Sequence, residues 1–225
     1  FGGLEDGVAE RAKDNFKSYS VTTNLELGKF FPEKAKVSAP LYYSRTQEES
    51  SPKYNPLDTD LRLKDALDAA NRQERDSIKN IAIRRTTNTN FSLSNVRIGI
   101  QNKRHPMPYD PANFSFSYSS SSRFTSGETT VYERENNWRA ALAYNWTPVY
   151  KPLEPFKNLK GKSKWLDILK RFGLNWLPQN LSFNSDINRS YYELQERDME
   201  SKGGDRLPLT FNSQFLWNRD FAVRW

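Results

Sequence analysis

Residues 113–146 read NFSFSYSSSSRFTSGETTVYERENNWRAALAYNW, and this stretch decides the fold. In residues 114–118, Phe and Tyr alternate with Ser, and in residues 138–146 every second residue is aromatic or aliphatic. Because successive side chains on a strand point to opposite faces, each of these two arms predicts a two-faced strand. Residues 125–128, TSGE, supply the turn signal between them. The stretch therefore predicts a long antiparallel hairpin with one apolar and one polar face.

The second arm has aromatic residues at both ends and small apolar residues between them. This order is typical of a strand that crosses a bilayer, where Trp and Tyr lie at the two interfaces. Large apolar residues of this phase, here and in the later strands, are therefore predicted to face lipid or a neighbouring barrel protein. These residues are Phe114, Phe116, Tyr118, Trp138, Leu142, Tyr144, Trp146, Phe183 and Phe211. Ser, Asn, Arg and Glu residues of the opposite phase would line a water-filled interior.

The same alternation of apolar and polar residues recurs along the chain and predicts about seven long strands. Besides the two hairpin arms, the predicted strands lie at residues 18–28, 36–45, 83–100, 180–194 and 209–225. The alternation changes phase at Ser94 and Asn95, which predicts a bulge, since a slip of one residue exchanges the two faces. The fold class expected is all-β, an antiparallel meander forming part of a very large transmembrane β-barrel.

Two connections are predicted to carry helical insertions. Residues 48–60 are expected to form a polar loop, followed by a helix at about residues 60–80 that is rich in Leu, Ala, Lys, Arg and Glu. Asp58 or Thr59 is the candidate N-cap of that helix. A second, basic amphipathic helix is predicted at about residues 163–172. It would pack on its own barrel, which we favour, or lie in a membrane interface.

The composition is unusual for a protein with a dry core. The chain has 225 residues, 36% hydrophobic residues and a mean hydropathy of −0.86, yet 14% of its residues are aromatic. A barrel wall has this composition, because only every second strand residue meets lipid. No apolar run is long enough for a membrane helix. Since the sequence begins at Phe1 without Met, we expect residues 1–225 to be one barrel-wall segment of a longer protein rather than a complete domain.

The net charge of +7 comes from 34 Lys and Arg against 27 Asp and Glu, with both signs scattered along the chain. Such scattering favours solvated faces over a nucleic-acid site, so no nucleic-acid partner is expected. The sequence contains no Cys, which excludes disulfides and thiolate metal sites.

The sequence offers no chemistry that predicts an enzyme. His105 is the single His and lies in a Pro-rich turn without a metal-binding motif around it. The Asp residues within 58–68 lack the Gly and terminal Glu of a calcium loop. No Gly-rich phosphate loop or nucleophile motif is present. We therefore predict no catalytic residues, no metal and no cofactor.

Six short motifs, taken in order along nearly the whole chain, resemble the SprA/Sov family of cell-surface gliding-motility and secretion proteins of Bacteroidota. They are FGGLE at 1–5, TNLELGKFFP at 23–32, SPKYNPLD at 51–58, FSLSNVR at 91–97, PMPYD at 106–110 and NWLP at 175–178. The Trp of the last motif departs from the family pattern, which leaves the packing of that turn open.

The resemblance implies the outer-membrane translocon of the type IX secretion system, a protein-transport channel. It implies a barrel at the upper size limit of such proteins, roughly 36 strands, of which this chain would supply about a fifth. The implied function is a channel wall through which folded cargo proteins reach the cell surface. The implied partners are a PorV-type outer-membrane barrel protein, a periplasmic plug protein, secreted cargo proteins and outer-membrane lipid.

The alternative is a soluble or surface β-sandwich that binds proteins or polyanions. Its strands would usually be shorter, and they would form two sheets with a shared core. A small complete porin and an enzyme are disfavoured.

Overall fold

The computed structural model describes residues 14–101, 106–149, 151, 153–156, 171, 173–198 and 205–225. Seven long strands form one antiparallel sheet in which the strands follow one another across the sheet in chain order. They are β1 (Asp14–Glu26), β3 (Pro40–Pro52), β6 (Arg84–Ile98), β7 (Phe114–Ser126), β8 (Thr130–Trp146), β9 (Asn180–Glu196) and β10 (Thr210–Arg224). The short β2 (Val37–Ser38) pairs with the end of β6. The predicted meander of about seven long strands is confirmed.

These strands are long for a globular protein. Each has 13 to 17 residues, whereas strands in globular proteins usually have about 5 or 6. A strand that crosses a bilayer needs about 9 to 11 residues. Every long strand therefore has the length to cross a bilayer and to project beyond it.

The register of the ladder assigns every strand residue to one of two faces. Leu93 lies opposite Tyr118, and Tyr118 lies opposite Ala140, so these three residues share a face. We call this the apolar face. Ser119 lies opposite Arg139, and both belong to the other face, which we call the polar face. Because the pleat has a period of two, each strand divides its residues between these faces.

The predicted bulge in β6 is confirmed. The register between β6 and β7 shifts between Leu93 and Val96, and Asn95 has a positive φ of 51°. The Asn95 backbone N–H donates to the Ser117 side-chain oxygen at 2.8 Å, which gives the displaced amide a partner. Asn adopts this left-handed conformation more readily than other non-glycine residues. The bulge keeps Leu93 and Val96 on the apolar face although they are three residues apart.

A compact corner joins β1 to β3. The Glu26 carboxylate accepts hydrogen bonds from the backbone N–H of Gly28 at 3.2 Å and of Ala39 at 2.6 Å. Between them the chain forms short 3-10 turns at Leu27–Phe30 and Glu33–Ala35. The interruption between the strands predicted at 18–28 and 36–45 is therefore present, and the Glu26 carboxylate links its two ends.

The helical insertion predicted at about residues 60–80 consists of two helices, α1 (Leu63–Ala69) and α2 (Arg72–Ala82). A hairpin of β4 (Tyr54–Asn55) and β5 (Asp58–Arg62) precedes them. The first helix ends at Ala69 with Ala70 as its C-cap, and Asn71 caps the second. Its side chain accepts from the Glu74 N–H at 3.0 Å, and the Glu74 carboxylate accepts from the Asn71 N–H at 3.1 Å. This capping box starts a new helix at Arg72, so the prediction of one continuous helix is wrong.

Two further details differ from the sequence-based expectations. Residues 48–52 continue β3 instead of opening a loop, and Glu49 there forms an ion pair with Arg85 of β6 at 3.1 Å. The N-cap of α1 is Arg62, not Asp58 or Thr59. The amphipathic helix predicted at 163–172 falls almost entirely outside the described residues, as does His105.

The described part of the chain has no packed hydrophobic core. Its only apolar residues that are buried are Ala39, Leu63, Ala66 and Ala82, and three of these belong to the helical insertion. No helix among the described residues is long and apolar enough to cross a membrane. The sheet is therefore held mainly by its backbone ladder and by contacts between side chains on the same face.

We expect the β6 bulge to require a residue that tolerates a left-handed conformation. Asn95→Gly should leave the free energy of unfolding unchanged or raise it, whereas Asn95→Val should lower it by about 1–2 kcal/mol. Asn88→Val, at an extended position of the same strand, is the control and should change it by less than about 0.5 kcal/mol. Urea titration in detergent, followed by tryptophan fluorescence, measures all three. Equal effects of the two Val variants would contradict this assignment of Asn95.

Candidate functional site

The nine residues predicted to face lipid or a partner all lie on the apolar face. In β7 and β8, Phe116 lies opposite Leu142, and Phe114 lies opposite Tyr144. The series continues across the sheet, since Tyr144 lies opposite Phe183 of β9. The remaining members of the nine, Tyr118, Trp138, Trp146 and Phe211, fall on the same face by register. Their contact with lipid or a partner stays a prediction.

These side chains are not covered by protein. Phe114 and Phe116 are each 42% exposed, Leu142 is 41% exposed and Phe211 is 66% exposed. The other five are half-buried, chiefly against neighbours on their own face. Phe114 and Tyr144, for example, have ring centroids 4.9 Å apart. The described long strands form one sheet without a second layer, so these residues do not fill the core of a sandwich.

The exposed apolar residues form a band with a defined width. On β8 it runs from Trp138 to Trp146, a distance of about 27 Å along the strand. A tilted strand of this length covers most of the roughly 25 Å apolar band of outer-membrane barrels. Beyond Trp138 the apolar face becomes polar, with Asn136 and Arg134 next on the same strand. A Trp marks each end of the band, as expected for membrane interfaces.

At the Trp146 end, the polar atoms of the aromatic residues bind a turn rich in proline. The Tyr144 hydroxyl donates to the Pro108 carbonyl at 2.9 Å, and the Trp146 indole N–H donates to the Pro106 carbonyl at 2.9 Å. Asn113 steadies the turn by donating to the Met107 carbonyl at 2.7 Å. A proline carbonyl can accept a hydrogen bond, and proline has no backbone N–H that would need a partner of its own. This end of the band is thus fixed to a loop that sequence periodicity does not reveal.

The polar face is concave. A hollow of about 490 Å³ on this face is lined by side chains from six neighbouring strands, β3 and β6 to β10. A depression shared by so many adjacent strands requires a sheet that curves toward this face. Its side-chain lining is mainly hydroxyls and amides: Asn90, Ser92, Ser119, Ser121, Asn137, Asn188, Ser190 and Gln214. The one charged side chain of the polar face that lines the hollow, Arg139, lies 3.8 Å from Asp186.

The two faces differ in charge as well as in polarity. On the seven long strands the apolar face carries six basic residues and two acidic ones, a net charge of +4. These are Lys17, Arg45, Arg85, Arg134, Arg189 and Arg219, with Glu49 and Glu193. The polar face carries five basic residues and eight acidic ones, a net charge of −3. These are Arg84, Arg97, Arg123, Arg139 and Arg224, with Asp14, Glu26, Glu48, Glu133, Glu135, Asp186, Glu196 and Asp220.

One arginine lies inside the apolar band. The Arg219 guanidinium carbon lies 4.2 Å from the centroid of the Trp217 ring, and the Trp217 indole N–H donates to the Ser185 hydroxyl at 2.9 Å. Stacking over an aromatic ring offsets part of the cost of placing this charge in apolar surroundings. The band is therefore less uniform on β9 and β10 than on β7 and β8.

Arg197 fixes the hairpin turn at the opposite end of the sheet. Its guanidinium donates to the carbonyls of Gly127 at 3.2 Å and Glu128 at 2.8 Å. Burial first, and then the nearby charge of Arg206, lower the pKa of Arg197. Arg197 links the end of β9 to the β7–β8 turn, so β7, β8 and β9 are joined at the same end of the sheet.

Among the described residues no group of three or more His, Asp or Glu side chains is arranged to hold a metal ion. The described strands present two extended surfaces, one apolar and one polar.

The comparisons with known proteins agree with the motif resemblance. Residues 1–67 match the family model SprA_N, described as a motility-related and secretion protein. The resemblance of the sequence motifs to this family is thereby confirmed for residues 1–67. The matched family is one of secretion and motility proteins, not of enzymes. No curated protein matches the chain.

We expect the Tyr144 hydroxyl to stabilise the end of the apolar band. Tyr144→Phe removes the bond to the Pro108 carbonyl and should lower the free energy of unfolding by about 1 kcal/mol. Tyr118→Phe is the matched control, because the Tyr118 hydroxyl has no hydrogen bond to the described residues. Denaturant titration in detergent compares the two variants. If Tyr118→Phe costs as much as Tyr144→Phe, the contact to the turn is not what stabilises this region.

Proposed function

We propose that the chain is a wall segment of an outer-membrane channel that exports folded cargo proteins to the cell surface. The channel would be the translocon of type IX secretion, which also serves gliding motility. The single observation that carries this proposal is one long sheet with an exposed apolar face, a concave polar face and no packed core in the described residues. The family match of residues 1–67 to a motility and secretion protein supports it.

The apolar face needs a cover, and a bilayer supplies one without a second protein layer. Fully removing a Phe or Leu side chain from water contributes about 2 kcal/mol. A band of such residues left in water would favour aggregation, since large exposed apolar patches are rare on soluble monomers. In hydrocarbon the same band is stabilised, and the backbone groups between neighbouring strands are paired along the ladder, as a bilayer requires.

The concave face suits a hydrated passage. Hydroxyl and amide side chains line its hollow, and such groups hold water without presenting a strong charge of either sign. A folded protein moving along this surface would keep its own hydration layer. The cargo would therefore contact mainly water and weakly polar side chains, with Tyr42 and Leu216 as the larger apolar groups of the hollow.

The channel wall would also contact partner proteins. A PorV-type outer-membrane barrel would cover part of the outward surface, and a periplasmic plug protein would close the lumen. The β10 part of the band, where Arg219 interrupts the apolar residues, is the less suited of the described surfaces to lipid. A protein neighbour would fit better there than hydrocarbon.

Adjacent residues of β8 test which face meets lipid. The chain has no native Cys, so Ala140→Cys and Ala141→Cys each introduce one thiol in the full-length protein. With a nitroxide attached, the Ala140 site should relax with membrane-dissolved oxygen, and the Ala141 site should relax with a water-soluble nickel chelate. Electron paramagnetic resonance in native outer membranes makes the comparison. Equal access of nickel to both sites would contradict a membrane wall.

Passage of cargo is tested by crosslinking from the two faces. A photoreactive amino acid at Ser119, on the polar face, should capture a secreted cargo protein that has been stalled during export. The same group at the neighbouring Tyr118, on the apolar face, should capture lipid or another envelope protein and no cargo. Immunoblotting of the crosslinked products provides the measurement. Cargo captured only from Tyr118 would invert the proposed assignment of lumen and wall.

A further inference from the structure

A small hollow on the apolar face lies between β8 and β9, separate from the large hollow of the polar face. It has a volume of about 390 Å³ and is lined by Asn136, Trp138, Arg189 and Tyr191. Asn136 lies opposite Tyr191, and Trp138 lies opposite Arg189, so the four side chains form a block of two cross-strand pairs. Side chains that face each other in this way are within contact range. We call this block the β8–β9 hollow.

The hollow presents hydrogen-bond donors. The Ser122 hydroxyl donates to the Asn136 side-chain carbonyl oxygen at 2.7 Å, which leaves the Asn136 amide nitrogen free to donate outward. Arg189 is exposed and forms no ion pair or hydrogen bond with the described residues. Its guanidinium can therefore offer a fork of N–H donors. The Tyr191 hydroxyl provides a further donor on the same strand.

The charges around the hollow favour an anion. Arg134 lies next to Asn136 on the same face, and Arg45 lies at the level of Asn136 on β3. The acidic residue nearest along β9 is Glu193, which already accepts a hydrogen bond from Tyr132 at 2.9 Å. Across the sheet, Arg85 is neutralised by Glu49. Glu193 keeps its negative charge and lies opposite Arg134, so the positive charge without an acidic neighbour on this part of the face belongs to Arg45 and Arg189.

The position of the hollow identifies the kind of anion. Trp138 ends the apolar band, so the hollow lies where hydrocarbon gives way to head groups if the band is in a bilayer. A soluble anion would gain nothing from the Trp138 ring, whereas a lipid would place its glycerol and upper acyl chain against it. The donors would then meet the phosphate, for which arginine provides bidentate geometry.

We propose that the β8–β9 hollow binds the phosphate head group of an anionic membrane lipid, with Arg189, Asn136 and Tyr191 as donors and Trp138 against the lipid backbone. This inference rests on the proposed function, since it needs the apolar band to be in a bilayer. A lipid held here would fix the height of the wall in the membrane at one interface.

The test uses the full-length protein, purified with its native partners and reconstituted into nanodiscs. One preparation contains phosphatidylcholine alone, and another contains phosphatidylcholine with phosphatidylglycerol. Native mass spectrometry then counts the retained anionic lipid. Arg189→Gln should reduce the preference for phosphatidylglycerol about fivefold, and Arg189→Lys should restore most of it. Arg123→Gln removes a charge from the polar face of β7 and should leave the preference unchanged.

The spin-label and lipid-retention measurements together distinguish a failure of the lipid site from a failure of the membrane-wall assignment. If the Ala140 label reports lipid but Arg189→Gln and Arg123→Gln behave alike, the hollow does not bind the lipid and the wall assignment stands. If the Ala140 label does not report lipid, the wall assignment itself fails. Displacement of the retained phosphatidylglycerol by inorganic phosphate alone would show a site for a free anion and would overturn the lipid proposal.

Discussion

The backbone ladder that joins seven antiparallel strands is the constraint on which the rest of the structure depends. In a protein with a packed core, side-chain burial supplies most of the stability and the ladder follows it. Here the described residues bury four small or medium apolar side chains, so the ladder has to hold the register directly. A slip of one residue would exchange the Trp138 face with the Arg139 face along the whole of β8. The bulge at Asn95 is tolerated because it shifts the register once and then preserves it to the end of β6.

The unpaired outer edges of the sheet restrict how the chain could lie in a membrane. The outer edges of β1 and β10 are not paired within the described sheet. An unpaired backbone N–H or C=O in hydrocarbon costs several kcal/mol, and strands of this length carry many such groups. The proposed location therefore requires both edges to be paired with further strands, which is the same requirement that closes a barrel. A curved sheet with its polar side inward already has the curvature that closure needs.

The sequence predicted the strands well and the connections poorly, for a physical reason. Alternation of Phe and Ser in β7 is a strong periodic signal, and the phase change at Ser94 and Asn95 located the bulge. At residues 48–52 of β3 both phases are polar, so the periodic signal vanishes although pairing continues. The ion pair of Glu49 with Arg85 joins residues far apart in the sequence, and composition cannot reveal it. The split of the helical insertion was encoded locally, by Asn71 and Glu74 at capping-box spacing.

The surfaces also show why net charge alone is a poor guide to partners. A total of +7 in one chain invites comparison with proteins that bind polyanions. On the seven long strands the register places a net charge of +4 on the apolar face and −3 on the polar face, so the strands carry +1 and the remaining +6 of the chain's charge lies outside them. The concave face of the long strands is therefore slightly acidic although the chain as a whole is basic. Within the long strands, the net positive charge lies on the apolar face, chiefly at one border of the apolar band. Charge in that position acts on whatever covers the band, so the meaning of the basic residues depends on the strand register and not on their number.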